Sequence, residues 1–242
     1  RALQRRIDRI NPTLNAIVTP NPQAESAASA ADDALARGEV WGPLHGVPIT
    51  VKDCFATRGL RTTSAYEPLR DFVPDYDATP VARLRAAGAV IIGKTNLPVL
   101  ASDFQTDNNL FGRTPNPWNA AWTSGGSSGG EGAAIGARLS PLGLGSDSGG
   151  SIRNPAHNCA VFGIKPTEHL VSTHGYCPGY ATYQAERHLN TIGPLARSIE
   201  DLGLALRVIA GPDNRFTPSP PVPLAWPQTR QVKGLRIAFA TE

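Results

Sequence analysis

Apolar and polar residues along the chain repeat with two different periods, and these periods predict helices and strands in succession. Residues 1–10 carry apolar positions at helical spacing, and this first helix is expected to end before Pro12. The segment 14–19 is predicted to be extended, and a second helix is predicted from Asn21 to Arg37. This succession favours an α/β fold.

Further segments in the first half of the chain support the same fold. A helix is predicted from Thr79 to Ala87, and the apolar run 89–92 after it is predicted to be a buried strand with a parallel neighbour. Residues 47–53 alternate between apolar and polar, which predicts a strand that carries Lys52 into the interior. Burial disfavours the ammonium form, so Lys52 would have a lowered pKa and could act as a base.

The last third of the chain is less regular. Residues 172–188 contain few apolar repeats and are predicted to form a long loop. Ser198 is predicted to cap a helix that ends near Ala210. The proline-rich stretch 211–233 is predicted to be a linker, and a last strand is predicted at 234–239.

A glycine-rich stretch, residues 124–165, contains two clusters of glycine and serine. The first cluster spans residues 125–130, and the second spans residues 149–153. Glycine tolerates positive φ and close backbone approach, so consecutive N–H groups in such a loop can converge on one negative atom. The stretch is therefore compatible with a structural loop, with a phosphate-binding loop, or with an oxyanion hole beside a serine nucleophile.

The residues around the two clusters exclude some of these interpretations. A phosphate-binding loop needs a Lys-Ser or Lys-Thr pair after the glycines, and neither cluster has one. Residues 125–129 match the nucleophile-elbow pattern G-x-S-x-G, but that elbow follows a strand, whereas the turn-forming residues 116–119 precede this one. The elbow is therefore rejected, and a structural loop and an oxyanion hole remain.

Composition and charge narrow the functional classes. The 242 residues are 40% hydrophobic and 18% charged, which suits one globular α/β core. The net charge of +3 is spread along the chain, so nucleic acid is not an expected partner. The three cysteines fit no zinc-binding spacing and are expected to be reduced thiols of a cytoplasmic protein. No apolar run approaches about 18 residues, so no membrane partner is evident.

Residues 46–53, taken together with the two glycine–serine clusters, resemble the amidase signature family in residue type and in spacing. The resemblance extends from Ile7 to Phe239 and implies an α/β fold, in which helices cover both faces of a twisted mixed β-sheet. Residues 93–96 resemble a turn of the family. Family members are longer than this chain, so residues 1–242 are expected to be the N-terminal part of an amidase signature domain, without its C-terminal half.

The resemblance implies the catalytic roles of three residues. Ser151 would be the nucleophile, Ser127 a proton relay that follows a cis peptide bond, and neutral Lys52 the base. No metal ion and no cofactor are implied. The oxyanion hole would consist of the backbone N–H groups of Ser148, Gly149, Gly150 and Ser151.

The same resemblance implies lesser roles for five other residues. Asp147 and Arg153 are expected to brace the second glycine-rich loop. Ser128 is expected to be a supporting hydrogen-bonding partner behind the catalytic residues. Ala101 and Asp103 align with family positions near the scissile group and are expected to bind substrate.

The implied reaction is the hydrolysis of a small-molecule carboxylic amide through an acyl-enzyme, with release of ammonia or an amine. Two alternatives stay open: the A subunit of a glutamine-dependent tRNA amidotransferase, and a non-catalytic binding protein on the same fold. Glu131 resembles the fatty-acid amide and small-amide branches more than the tRNA-dependent branch, which favours a stand-alone amidase. Val99 stands where the family usually has an acidic residue, so the branch stays open. A homodimer is one possible assembly.

Overall fold

A six-stranded sheet with helices on both sides forms the described part of the molecule. The computed structural model describes residues 1–179 and 189–215, together with single positions at 221, 224, 234 and 236. Most of the strand predicted at 234–239, most of the predicted linker, and the second half of the loop predicted at 172–188 lie outside the described residues.

Within the described residues, the elements alternate much as their periodicity predicts. The helices predicted at 21–37, 79–87 and 198–210 and the strand predicted at 47–53 are confirmed, with ends that differ by a few residues. The strands are β1 (Ile17–Pro20), β2 (Pro48–Lys52), β3 (Val90–Thr95), β4 (Leu142–Asp147), β5 (Phe162–Gly163) and β6 (Thr191–Ala196). The α-helices are α1 (Ala2–Leu14), α2 (Ala24–Ala36), α3 (Thr79–Ala86), α4 (Gly129–Gly136), α5 (Arg153–Cys159) and α6 (Ile199–Ile209).

Parallel strands form the middle of the sheet. The strand order is β1-β3-β2-β4-β6-β5. The strands β3, β2 and β4 run parallel, as predicted for the strand after α3, and the outer pairs are antiparallel. Because parallel strands end at the same edge of a sheet, Lys52 at the end of β2 lies near Asp147 at the end of β4.

Alternating side chains of β2 face two different hydrophobic layers. Ile49 and Val51 face a core that includes helices α3 and α6. Thr50 faces the other side, where it contacts Glu131 of α4, and α4 packs there with α1 and α5. The mixed sheet with helices on both faces confirms the predicted α/β fold.

The first helix is longer than predicted, because Pro12 does not end it. Helix α1 continues through Pro12 to Leu14. Asn15, in the left-handed conformation, ends the helix by donating its N–H to the carbonyl oxygen of Asn11 at 2.7 Å. The side-chain oxygen of Asn11 also accepts the N–H of Ile17 at 2.9 Å. These hydrogen bonds hold the last turn although Pro12 has no N–H to donate.

The prediction of a turn at residues 93–96 is wrong. Strand β3 continues through Thr95, because β1 bonds to it on one side and β2 on the other. Gly93 lies so close to β1 that an added Cβ atom would be 2.7 Å from the side chain of Ile17. The extra length of β3 places Lys94 opposite Val51, in the interior of the sheet.

Candidate active site

Lys52 is the centre of a buried polar cluster at the end of β2. Its side chain is fully buried, and its Nζ atom forms hydrogen bonds with Ser127 Oγ at 2.6 Å and with Ser146 Oγ at 2.9 Å. Burial lowers the pKa of Lys52, although the thiols of Cys54 and Cys177 and nearby carboxyl groups oppose the shift. A neutral amine in this position can accept a proton from Ser127.

Ser127 lies in the first glycine-rich loop, directly before helix α4. The peptide bond between Gly126 and Ser127 is cis, as the family resemblance implies. Gly126 has no room for a side chain, because a Cβ atom would lie 2.7 Å from the carbonyl oxygen of Asp103. Thr106 Oγ1 donates a hydrogen bond to the carbonyl oxygen of Gly125 at 2.8 Å. The backbone before Ser127 is therefore held against the segment that contains Asp103 and Thr106.

Ser128 of the first glycine-rich loop forms a hydrogen bond with the second glycine-rich loop. Its backbone N–H donates to the carbonyl oxygen of Ser151 at 3.0 Å. Its hydroxyl donates to the carbonyl oxygen of Ser146 at 3.3 Å and accepts the N–H of the same residue at 3.4 Å. These bonds bring the loop of Ser151 next to the residue that follows Ser127. Ser128, for which a supporting role is predicted, bonds to this loop and to Ser146.

The carboxylate of Asp147 holds the loop that carries Ser151. It accepts the N–H groups of Gly150 at 2.7 Å, Ile152 at 3.0 Å and Arg153 at 3.2 Å. The guanidinium of Arg153 adds two hydrogen bonds, at 3.0 and 2.9 Å. Burial alone raises the pKa of Asp147, but these donors outweigh burial and lower the pKa to about 2. Asp147 is therefore ionised at neutral pH.

The four N–H groups predicted to form the oxyanion hole differ in whether the protein already accepts their hydrogen bonds. The N–H of Gly150 points at Asp147, which accepts its hydrogen bond. For the N–H groups of Ser148, Gly149 and Ser151, the described part of the chain supplies no hydrogen-bond acceptor. Three of the four predicted donors are thus available to a ligand.

Of the two residues predicted to bind substrate, Asp103 lies beside the first glycine-rich loop, where its carbonyl oxygen faces Gly126. Ala101 ends a short 3-10 helix and has a positive φ of 58°. Asp103 is exposed, and its carboxylate accepts the N–H of Gln105 at 3.1 Å. Phe104, which no sequence pattern marked, lies over the second loop, where a Cβ atom added to Gly149 would be 3.7 Å from its ring. Phe104 is 53% exposed, so its side chain can contact a bound molecule.

Glu131 anchors helix α4 to the sheet beside Lys52, a role that its place in the sequence does not reveal. The buried carboxyl group accepts hydrogen bonds from Thr50 Oγ1 at 2.5 Å and from Thr95 Oγ1 at 2.8 Å. It lies directly over Gly143, where a side chain would collide with it. Burial raises the pKa of Glu131 to about 8, although the two threonine hydroxyls oppose the shift.

A second buried lysine, Lys94, lies in a separate polar cluster. Its Nζ atom donates to the carbonyl oxygen of Phe55 at 2.8 Å and to Thr62 Oγ1 at 2.7 Å, and it lies 3.3 Å from Asp53 Oδ1. Burial lowers the pKa of Lys94, and Asp53 opposes the shift. Because these partners all belong to residues 53–62, Lys94 holds that segment against β3 and does not contact the serine loops.

Metal-binding and membrane-spanning features were not found in the described residues. They contain no group of three or more His, Cys, Asp and Glu side chains that could hold a metal ion. Cys54, Cys159 and Cys177 are free and buried. No helix within residues 1–179 and 189–215 is long and apolar enough to cross a membrane.

Asp147→Asn is expected to destabilise the protein in a pH-dependent way, by about 2 kcal/mol near neutral pH. The folded state lowers the pKa of Asp147 from 3.8 to about 2, so its stabilising contribution is complete above the unfolded value and is lost as pH falls through the folded value. Denaturant unfolding of both proteins between about pH 6 and about pH 2.5 should show a difference that shrinks with acidity. If the difference in unfolding free energy between the two proteins did not change with pH, the ionised carboxylate of Asp147 would not be what holds the loop.

The fold and the site together define a class of proteins. It is an α/β class in which a buried lysine contacts a serine after a cis peptide bond, beside a second glycine-rich serine loop. The amidase family model matches residues 1–242, and the chain belongs to the amidase family.

Known proteins resemble the chain over nearly its whole length. It is 43% identical to the A subunit of glutamyl-tRNA(Gln) amidotransferase from Geobacter metallireducens, over 100% of this chain and 49% of that protein. The structure of peptide amidase from Stenotrophomonas maltophilia has a TM-score of 0.82 at 35% identity, over 90% of this chain and 45% of that one. The A subunit of the same amidotransferase from Thermotoga maritima has a TM-score of 0.77 at 31% identity, over 92% and 45%. The chain thus spans about half the length of the relatives that it matches.

Proposed function

We propose that this chain carries the catalytic serines and lysine of an amide hydrolase. The observation that carries the proposal is the 2.6 Å hydrogen bond between buried Lys52 and Ser127, beside the loop of Ser151. A lysine with a lowered pKa in direct contact with a serine forms a base and a proton relay. The proposed substrate is a small-molecule carboxylic amide, and the products are the acid and ammonia or an amine.

The first half of the reaction forms an acyl-enzyme. Ser151 Oγ attacks the carbonyl carbon, while its proton passes to Ser127 Oγ and the proton of Ser127 passes to Lys52 Nζ. The carbonyl oxygen becomes an oxyanion, to which each N–H donor contributes about 3 kcal/mol. When the C–N bond breaks, Lys52 returns a proton through Ser127 to the departing nitrogen. The proposed donors are the free N–H groups of Ser148, Gly149 and Ser151.

The second half of the reaction releases the acid. Water attacks the ester carbon of the acyl-enzyme, and its proton follows the same path to Lys52. The C–O bond to Ser151 then breaks, and the serine recovers a proton through Ser127. Ala101 and Asp103 are proposed to bind the substrate near the scissile bond. Arg153 is proposed to act on the loop through Asp147.

A component of a tRNA-dependent amidotransferase is the second candidate. It is favoured by the 43% and 44% identity to two proteins that are each named as the A subunit of glutamyl-tRNA(Gln) amidotransferase. In that case the same chemistry would release ammonia from glutamine for use by a partner protein. Assays of the intact protein on glutamine and on simple anilides separate the candidates. Anilide turnover by the protein alone supports a stand-alone amidase, and glutamine turnover that needs a partner supports the second candidate.

Location and assembly are further proposals. The free cysteines support a cytoplasmic location, because reduced thiols persist there. A homodimer is proposed as one assembly, and sedimentation of the intact protein tests it. Nucleic acid is not proposed as a direct partner, since the net charge is only +3.

Covalent labelling tests the nucleophile. A fluorophosphonate should react with Ser151 of the intact protein, because the serine oxygen bonds to phosphorus and expels fluoride. Peptide mass spectrometry should locate the label, and Ser151→Ala should remove it. The exposed serine Ser26 on α2 provides a control, and Ser26→Ala should keep the label. A wild-type protein that takes no label would favour a non-catalytic binding protein.

Ser127→Ala is expected to lower kcat/KM by about 10²- to 10⁴-fold, which is less than the loss of the nucleophile. The smaller loss is expected because a water molecule can partly replace the relay hydroxyl. Steady-state kinetics on an anilide, side by side with Ser151→Ala, measure the difference. A loss equal to or greater than that of Ser151→Ala would mean that the two serines have exchanged roles.

A further inference from the structure

We propose that the hydroxyl of Tyr176 orients Ser146 so that the lone pair of Lys52 stays available to Ser127. Tyr176 would thus be a positioning residue, which acts on the base through Ser146 and does not touch the substrate. The inference rests on the proposed function, in which Lys52 accepts the proton of Ser127.

A continuous chain of hydrogen bonds connects these four residues. Lys52 Nζ lies 2.6 Å from Ser127 Oγ and 2.9 Å from Ser146 Oγ. Ser146 Oγ in turn donates to the hydroxyl oxygen of Tyr176 at 3.3 Å. Lys52 is 0% exposed, both serines are 1% exposed, and Tyr176 is 8% exposed. Because the chain is closed off from solvent, each hydroxyl must find its partners within the protein.

The number of donors around Lys52 sets the direction of these bonds. A neutral amine has two N–H donors and one lone pair. For Lys52 to receive the proton of Ser127, the lone pair must face Ser127, and an N–H must then face Ser146. Ser146 must therefore accept from Lys52 and donate its own hydrogen to another atom. The hydroxyl oxygen of Tyr176 takes this hydrogen at 3.3 Å, in preference to the sulfur of Cys54, which also lies within hydrogen-bonding reach of Ser146 and is a weaker acceptor.

Loss of the Tyr176 hydroxyl would leave the hydrogen of Ser146 with only the weak sulfur acceptor of Cys54, so the hydroxyl of Ser146 could rotate. The Ser146 hydroxyl could then donate to the lone pair of Lys52 and compete with Ser127. This orientation stabilises the neutral amine and removes an acceptor from the ammonium form, so it lowers the proton affinity of Lys52. Lys52 would then be a weaker base, with its lone pair partly occupied by Ser146, and proton transfer during the attack of Ser151 would be slower.

The backbone holds Tyr176 in place independently of Ser146. Tyr176 pairs with Phe55 in an antiparallel bridge, and their rings lie 5.5 Å apart. The N–H of Cys177 donates to the carbonyl oxygen of Cys54 at 2.6 Å. A phenylalanine at position 176 is therefore expected to keep the ring packing and to lose only the hydroxyl.

Other titratable groups face Lys52 and stay the same when Tyr176 is changed to Phe. They are the thiols of Cys54 and Cys177 and the carboxyl groups of Asp147 and Glu131. A shift in the pH dependence of Tyr176→Phe therefore reports on the hydroxyl of Tyr176.

Tyr176→Phe in the intact protein tests the inference. We expect kcat to fall about two- to tenfold, the rate equivalent of one neutral hydrogen bond, with KM unchanged to within about twofold. The rising limb of kcat/KM against pH should move to lower pH, which loss of packing alone would not produce. Tyr76→Phe is the matched control, because Tyr76 stacks on His174 and does not belong to the hydrogen-bond chain from Lys52 to Tyr176. The kinetics of this variant should match those of the wild type.

Ser146→Ala supplies the second variant. It should itself move the rising limb to lower pH, because the ammonium of Lys52 loses the same acceptor. Tyr176→Phe should have no further effect in the Ser146→Ala background, since its action passes through Ser146. An unmoved limb in Ser146→Ala overturns the inference, even where Tyr176→Phe does not fold.

Three further outcomes separate the inference from the proposed function. Wild-type kinetics in a folded Tyr176→Phe variant would overturn only the proposed role of Tyr176. The same would follow if Tyr176→Phe lowered kcat as much in the Ser146→Ala background as in the wild type. A wild-type protein with no amide hydrolysis and no label at Ser151 would overturn the proposed function instead.

Discussion

Ser151→Ala should abolish amide hydrolysis, with kcat/KM reduced by about 10⁴-fold or more while the protein stays folded. In the proposed reaction only Ser151 forms a bond to the carbonyl carbon, so no other group can replace it. Folding should survive because the loop is held by the carboxylate of Asp147 and by the backbone bond to Ser128. The hydroxyl of Ser151 has no hydrogen-bond partner within residues 1–179 and 189–215.

The measurement pairs anilide hydrolysis with thermal unfolding of the intact protein. Ser26→Ala on the exposed face of α2 controls for the handling of serine variants and should match wild type in both assays. Turnover near the wild-type rate in a folded Ser151→Ala variant would contradict the assignment of the nucleophile.

Lys52→Arg should be nearly as damaging as Lys52→Ala, with a loss of about 10³-fold or more in kcat/KM. The substitution keeps a positive charge, but a guanidinium cannot be deprotonated and so cannot accept the proton of Ser127. The site is also fully buried, and its contacts at 2.6 and 2.9 Å leave little room for the larger group. A fixed positive charge at this position would predict the opposite result, with partial activity in the Arg variant.

The pH profile of wild-type kcat/KM provides the second half of this test. Burial lowers the pKa of Lys52, so the neutral amine forms at a lower pH than it does in an exposed lysine. Activity should therefore be low below this pKa, rise as pH passes through it, and stay high in mildly alkaline solution. A flat wild-type profile together with an active Lys52→Arg variant would show that Lys52 is not the base.

Local sequence features predicted the secondary structure and the burial of Lys52. The alternation over residues 47–53 identified β2, because side chains of a strand point to opposite faces with a period of two. The cap at Ser198 identified the start of α6, and its hydroxyl accepts the N–H of Asp201 at 3.1 Å. Spacing between distant motifs added the family and its candidate residues. These features could be predicted from the sequence, because each depends on residues that are close in sequence or on a pattern of residue types.

The tertiary structure decided which groups meet and in which direction they bond. The parallel register of β2 and β4 brings Lys52 to Ser146, and packing of the later loop adds Tyr176. The direction of the Gly150 N–H towards Asp147 is likewise a property of the folded loop. The turn predicted at residues 93–96 failed for the same reason, since two flanking strands draw that segment into the sheet. Local periodicity encodes which face of an element is buried, whereas strand register and loop packing depend on contacts between residues far apart in the chain.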